Sequence, residues 1–116
     1  MAESLSKQLP DGDNTVATGG WVTITDTATL GEIVHSGHAT DKDEVWLWAT
    51  NESTATETLT LEWGSASTPQ VTKIPPQELP VLVVPGWIIT NDDLTAFAST
   101  AGVITVHVYV NRITTG

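Results

Sequence analysis

The chain has 116 residues, with 14 acidic and 4 basic side chains and no cysteine. This length suits one domain with a single core, and the lack of cysteine excludes a disulfide framework and thiolate chemistry. The formal net charge of −10 repels phosphate backbones and anionic lipid headgroups, so we expect neither nucleic acid nor a membrane as a partner. Because no apolar run approaches the ~18 residues that cross a bilayer and the N-terminus lacks a basic and apolar leader, we expect a soluble, unprocessed protein.

The N-terminal segment, residues 1–19, shows no sustained periodicity and ends at a glycine pair. We interpret it as an extended arm that precedes a single domain over residues 20–116. A few apolar side chains and one lysine could anchor such an arm on a partner, although an idle tail without a binding role is the alternative. The candidate partner-binding residues are Leu5, Lys7, Leu9 and Val16.

From Trp21 onward, short runs of strand-forming residues recur every 10 to 12 residues, separated by Gly, Pro, Asn, Asp and Ser. Valine, isoleucine and threonine make up a third of the chain, and these stiff side chains favour pleated sheets over helices. The spacing predicts an all-β fold, a single antiparallel β-sandwich of jelly-roll or immunoglobulin-like type. The predicted strands are 21–25, 32–38, 44–50, 57–64, 70–74, 79–85 with an open extension over 87–90, 94–98 and 103–113.

Two of these strands differ in how their faces alternate. In 57–64, leucines and a tryptophan alternate with threonines and Glu62, which predicts one apolar and one solvated face. In 103–113 both faces are apolar, since Ile104 and three valines occupy one and Val103, His107 and Tyr109 contribute to the other. This last strand is therefore expected to be central, or to lie against a neighbouring subunit.

The segment 91–101 is the one place where a helix competes, because Leu94, Phe97 and Ala98 fall at helical spacing behind a capping asparagine. We favour a strand, since Leu94, Ala96 and Ala98 also alternate with polar or larger residues. Thr100 to Gly102 then make a hairpin turn into the last strand.

Several prolines lie in the second half of the chain. Proline cannot donate a ladder hydrogen bond, so the segments that contain it belong at strand ends or on an edge strand. The prolines concerned are Pro75, Pro76, Pro80 and Pro85.

The candidate catalytic and metal-binding residues do not form a recognisable site. The spacing of His35 and His38 points them to opposite faces of an extended chain, and with His107 they are interpreted as surface or interface histidines. Acidic clusters at 11–13, 41–44 and 91–93 lack the glycine and distant glutamate of a calcium loop and are interpreted as solvated turns. Gly64-Ser65-Ala66-Ser67 lacks the second glycine of a nucleophile elbow. We therefore expect no enzymatic activity, no cofactor and no metal.

Five tryptophans stand against one phenylalanine and one tyrosine. Trp46 and Trp48 share one face of their strand, while the other face is also apolar, so at least one face needs a cover. Three interpretations stay open for these rings: filling of the sandwich core, an intersubunit seam, or a platform on which sugars stack. The candidate oligomer-interface residues are Trp46, Trp48, His107 and Tyr109.

The stretch from Leu94 to Ile113, LTAFASTAGVITVHVYVNRI, resembles the final hairpin of small β-sandwich structural proteins of tailed bacteriophages. With its polar arm and acidic, cysteine-free sandwich, the whole chain is similar to capsid decoration (cement) proteins. The resemblance implies a non-enzymatic homotrimer on the outer capsid surface, present in the host cytoplasm before assembly. Such a protein bridges adjacent subunits of the major capsid protein and so stabilises the capsid. A head-fibre or tail-associated virion subunit, or a carbohydrate-binding module, is the alternative.

Overall fold

The structure, a computed structural model, describes residues 3–8, 20–76 and 79–115. Over these residues the fold is all-β, as predicted, and it contains no helix that could span a membrane. The strands are β1 (Glu3–Gln8), β2 (Trp21–Thr23), β3 (Glu32–Ser36), β4 (Lys42–Asn51), β5 (Glu57–Trp63), β6 (Pro69–Ile74), β7 (Val81–Ile89), β8 (Asp93–Ala98) and β9 (Ile104–Thr115).

The strands form two antiparallel sheets that pack as a sandwich. The larger sheet has the order β1-β9-β4-β7, with β2 also paired to β9, and the smaller sheet has the order β3-β8-β5-β6. Four pairs are nested along the chain, namely β5 with β6, β4 with β7, β3 with β8, and β2 with β9. A chain that pairs in this nested order and rolls into two sheets is a jelly roll, so the connectivity selects that one of the two predicted sandwich types.

The core lies between the sheets and is aliphatic. Alternate residues of each strand point inwards, so branched side chains from both sheets meet in the middle layer. Leu47 from the larger sheet and Leu59 and Leu61 from the smaller one are fully buried there. The inward face of β9 contributes Ile104, Val106, Val108 and Val110.

The last strand, β9, is central, which confirms one of the two expectations for its apolar faces. It pairs with β4 along one side, and with β1 and β2 along the other. The segment before it forms β8, so the strand interpretation of 91–101 is also confirmed. The expected hairpin is wrong, however, because β8 lies in the smaller sheet and β9 in the larger one. The connection 99–103 therefore crosses between the sheets.

Prolines lie at the edges, as predicted. Strand β7 forms one edge of the larger sheet and β6 one edge of the smaller sheet. Strand β7 runs as one element through Pro85 and Gly86, so the two predicted segments are a single strand. Its register with β4 shifts twice, and these irregularities accommodate the proline without breaking the ladder.

The outward face of β5 is not solvated as predicted. The chain between β2 and β3 crosses this face, and the Ala98 amide donates a hydrogen bond to the carbonyl of Asp26. Glu62, only 1% exposed, accepts hydrogen bonds from the Gly31 amide at 3.1 Å and from the hydroxyls of Thr29 and Thr95. A polar face can be buried here because its carboxylate is saturated with donors.

Candidate functional site

The four predicted interface residues lie together on the outward face of the larger sheet. Trp46 is opposite Tyr109 in the ladder between β4 and β9, and Trp48 is opposite His107. The sequence could place these pairs only on two separate strands. Strand pairing makes them one continuous surface.

This surface extends across four of the five strands of the larger sheet. Trp21 on β2 is opposite His107, and Leu82 on β7 is opposite Trp48, so one row runs from edge to edge. The Trp21 and His107 rings stack at 4.4 Å with 27° between their planes, and the Trp46 and Trp48 rings lie 6.3 Å apart at 19°. We call this surface the aromatic face; its residues are Trp21, Trp46, Trp48, Leu82, His107 and Tyr109.

The aromatic face lies outside the core, with Trp46 and Trp48 half-buried, so the interpretation of these two indoles as core residues is wrong. Val45, Leu47 and Ala49 of the same strand point inwards and are buried, which directs the two indoles outwards. Trp21 is 48% exposed and Leu82 is 44% exposed. Branched aliphatic side chains fill the narrow layer between the sheets, and the larger rings are left outside it.

The indole of Trp46 is held in a fixed orientation. Its Nε1 donates a hydrogen bond of 2.7 Å to Glu44 Oε1, and the side-chain amide of Asn111 donates to the same oxygen at 3.1 Å. These two bonds, that from Trp46 first, lower the pKa of Glu44 below its usual value. The other side of the ring contacts Gly86, where a Cβ atom would lie 2.8 Å from the ring carbon Cζ2. Gly86 has φ 77°, a conformation that also favours glycine.

The aromatic face carries little charge on a strongly acidic chain. Among the described strand residues on this side of the sheet, the charged ones lie towards one end, with threonines at the other; they are Glu3, Lys7, Lys42 and Glu44. Thr23 and Thr105 join their hydroxyls at 3.0 Å there. The rings between these ends therefore form a neutral patch with a polar border, the composition typical of the centre of a protein interface.

A buried ionic cluster lies at one end of the sandwich, and sequence reasoning missed it. His35 Nε2 is 2.7 Å from Asp43 Oδ2, and Arg112 contacts both oxygens of the same carboxylate at 2.8 and 3.1 Å. The expectations of a surface histidine and of a solvated Asp43 turn are wrong, since both side chains are fully buried. Burial alone would raise the pKa of Asp43, but the hydrogen bonds and charge of Arg112 and His35 outweigh it and lower the pKa.

The histidines occupy three separate environments. His35 belongs to the buried cluster, and His107 lies between Trp21 and Trp48. The Nδ1 atom of His38 accepts hydrogen bonds from the amides of Thr40 and Asp41 in a turn. Within the described ranges, no group of three or more His, Cys, Asp or Glu side chains is arranged to hold a metal ion.

The predicted partner-binding residues of the arm are only partly described. Residues 3–8 form β1, in which Leu5 pairs with Ile113 of β9 and Lys7 pairs with Asn111. Leu9 and Val16 lie outside the described residues. Part of the arm is thus paired with β9 in this chain. The residue pattern did not predict this pairing, because the hydrogen bonds between two strands are formed by backbone groups.

Comparison with known proteins adds no relative: no family model, no curated protein and no solved structure matches the chain.

Proposed function

We propose that the chain is a non-enzymatic virion structural protein that decorates a phage capsid from outside and stabilises it by bridging adjacent subunits of the major capsid protein. It acts as a homotrimer whose seam is the aromatic face. One observation carries the proposal: outward aromatic rings are continuous across four strands of one sheet. The residue pattern of 94–113 resembles phage structural proteins and supports the same conclusion, although these residues form strands of opposite sheets and not a hairpin.

The physical argument for self-association begins with exposed apolar area. Indole rings in water favour burial, and a jelly roll covers only the inward faces of its sheets. A further copy can cover this surface, and in a cyclic trimer the same interface repeats three times, with one part of the face meeting a different part of the next copy. Copies of net charge −10 repel one another, so their contact should involve a neutral patch, and the aromatic face is one.

Fixed ring positions strengthen such a seam. The hydrogen bond to Glu44 and the contact with Gly86 hold Trp46 before any partner arrives. A side chain that is already ordered loses less conformational entropy on association, and tryptophan is among the residues that contribute most to interface affinity. These properties suit a rigid structural module.

Attachment to the coat is assigned to the N-terminal arm, with Leu5, Lys7, Leu9 and Val16 as contact residues. A single arm of this composition binds weakly, because it offers few apolar groups. Three arms on one trimer bind far more tightly, since the first contact raises the effective concentration of the others. Bridging of adjacent coat subunits follows when different arms hold different subunits.

The solution mass tests the seam. Light scattering at micromolar concentration should give a trimer for the native chain and for Val71→Glu, which adds the same charge to an exposed valine elsewhere. Trp48→Glu should give a monomer with an unchanged far-UV spectrum, because the seam then buries a carboxylate. If Trp48→Glu misfolds, Trp21→Glu replaces it in the test, because the Trp21 ring is more exposed. A native monomer, or trimers in both tryptophan variants, would refute the seam.

Capsid attachment is tested separately. Mass spectrometry of purified virions from the encoding phage should detect the chain, and the recombinant protein should sediment with capsids stripped of it. A chain lacking residues 1–18 should fold but no longer sediment with those capsids. If it decorates capsids as fully as the intact chain, the arm has no binding role. Detection of the chain only in fibres or tails would favour the head-fibre or tail-associated alternative.

Glycan binding is a second candidate, and the nearly parallel Trp46 and Trp48 rings favour it. Sugars stack their C–H faces on exposed aromatic rings, and jelly rolls also occur in lectin domains. This candidate predicts retarded migration of the native chain in gels that contain soluble polysaccharide. Trp48→Ala should abolish the retardation while Val71→Ala retains it. Unretarded migration across bacterial capsular and cell-wall polysaccharides would eliminate it.

A further inference from the structure

We propose that β1 is exchanged between copies of the chain, so that Glu3–Gln8 of one subunit adds a strand to β9 of a second subunit. The acceptor is the second half of β9, on the side away from β4, in the register that β1 has here. The proposal deepens the oligomeric function proposed above and rests on it, because a second copy must be at hand. The coat contacts proposed above for the arm are unchanged, since exchange alters only which copy's β9 pairs with Glu3–Gln8.

The placement of β1 and β2 is the first observation. Both strands pair antiparallel with the same side of β9, since β4 occupies the other side. Gln8 is opposite Val110, and Trp21 is opposite His107, so β2 continues where β1 stops. The two strands therefore form one interrupted strand along a single edge.

The length of the connection is the second observation. Along β9 the end of β1 and the start of β2 are three residues apart, about 10 Å in a strand. Trp21 nevertheless follows Gln8 by thirteen residues in the chain, enough to span about 40 Å when extended. The length of the connection therefore does not restrict β1 to the β9 of its own copy.

The third observation is what β1 pairs with. Its ladder is formed with β9 through backbone groups. The same backbone hydrogen bonds form whether β1 comes from its own copy or from another. A copy whose β1 has left exposes an open sheet edge, and reciprocal exchange around a closed ring covers every such edge.

Engineered disulfides distinguish the two arrangements, since the chain contains no cysteine that would interfere. Ser4 is paired with Thr114 in the ladder. The test mixes the full-length single variants Ser4→Cys and Thr114→Cys in equal amounts, unfolds and refolds them together, and oxidises them. Non-reducing electrophoresis then measures the covalent dimer. Ser67→Cys replaces Ser4→Cys in a control mixture, because Ser67 lies in an exposed turn far along the chain from the arm.

Exchange predicts that about half of the chains become covalent dimers, because an arm then meets an acceptor of either variant at random. The Ser67→Cys control should give only a background of dimer. The double variant S4C/T114C should form covalent oligomers that run as monomers after reduction.

An intrachain disulfide in the double variant, with no dimer in the mixture, would overturn the exchange. If light scattering still shows a trimer in that case, the oligomeric decoration proposal stands; if it shows a monomer, both fall. Absence of any disulfide in the double variant would also overturn the exchange, since β1 then does not lie in this register on β9.

Discussion

Removal of the Asp43 carboxylate is expected to destabilise the fold more than removal of any neighbouring acid. The carboxylate is fully buried and accepts hydrogen bonds from Arg112, and it pairs with His35 at 2.7 Å. These contacts join three strands and both sheets, because His35 lies on β3, Asp43 on β4 and Arg112 on β9. In Asp43→Ala, the histidine and the guanidinium lose their shared partner.

The expected loss follows from burial. Removing one partner of a buried ion pair costs about 3–5 kcal/mol, because the remaining charge is left without compensation. The side chain of Arg112 is 22% exposed and can regain some hydration, so we expect the lower end of this range. Asp43→Asn keeps the shape and one acceptor oxygen, and should cost about 1–3 kcal/mol. A domain of this size has about 5–15 kcal/mol in total, so the alanine variant approaches the limit of folding.

Urea unfolding followed by tryptophan fluorescence measures these losses at one fixed protein concentration, which keeps any oligomeric contribution constant. Asp41→Ala is the matched control. Asp41 is partly exposed, accepts from Thr114 at 3.1 Å, and should contribute no more than about 1 kcal/mol. If Asp43→Ala lies within about 1 kcal/mol of Asp41→Ala, the buried cluster does not hold the sheets together and the reasoning is refuted.

The same cluster predicts a pH dependence. The pKa of Asp43 in the folded chain is below its ordinary value of 3.8, so its stabilisation is present above that value. It is lost as the pH falls through the folded pKa, because the unfolded chain then takes up the proton more readily. Stability should therefore decline below about pH 4, and Asp43→Asn should reduce this decline. An equal decline in both proteins would assign acid unfolding to other carboxylates.

Three further predictions concern the segment between β2 and β3, the aromatic face and metals. Glu62→Ala should cost about 1–3 kcal/mol and speed amide exchange in residues 25–31, because the carboxylate holds that crossing segment; unchanged exchange would contradict this. Gly86→Ala should destabilise more than the roughly 1 kcal/mol of Gly102→Ala, since both have positive φ but only Gly86 contacts Trp46; equal losses would contradict that contact. A chelator should leave the melting temperature unchanged, and a large fall reversed by zinc or calcium would reveal a metal site.

Strand positions and the sandwich class were predictable from the sequence because they depend on local pattern. Period-two alternation in β5, and apolar residues on both faces of β9, follow from residue order alone. The central place of β9 agrees with the prediction, but the sandwich covers only its inward face, and His107 and Tyr109 lie on the outward one. The sequence correctly placed the end of β8 at Ala98. It wrongly paired β8 with β9 in a hairpin, because a short turn can lead into the same sheet or the opposite one.

The tertiary structure decided which apolar face of β4 is inside. Both of its faces are apolar, so alternation cannot distinguish Val45 and Leu47 from Trp46 and Trp48. The choice depends on the opposite sheet, whose leucines leave a layer that aliphatic side chains fill.

The buried cluster was decided in the same way. Arg112 is far from Asp43 in sequence and meets it only because β9 pairs with β4, while His35 approaches from the opposite sheet. A single acidic or histidine position carries no periodic signal, and the burial of its charge is settled by strands that come from distant parts of the chain.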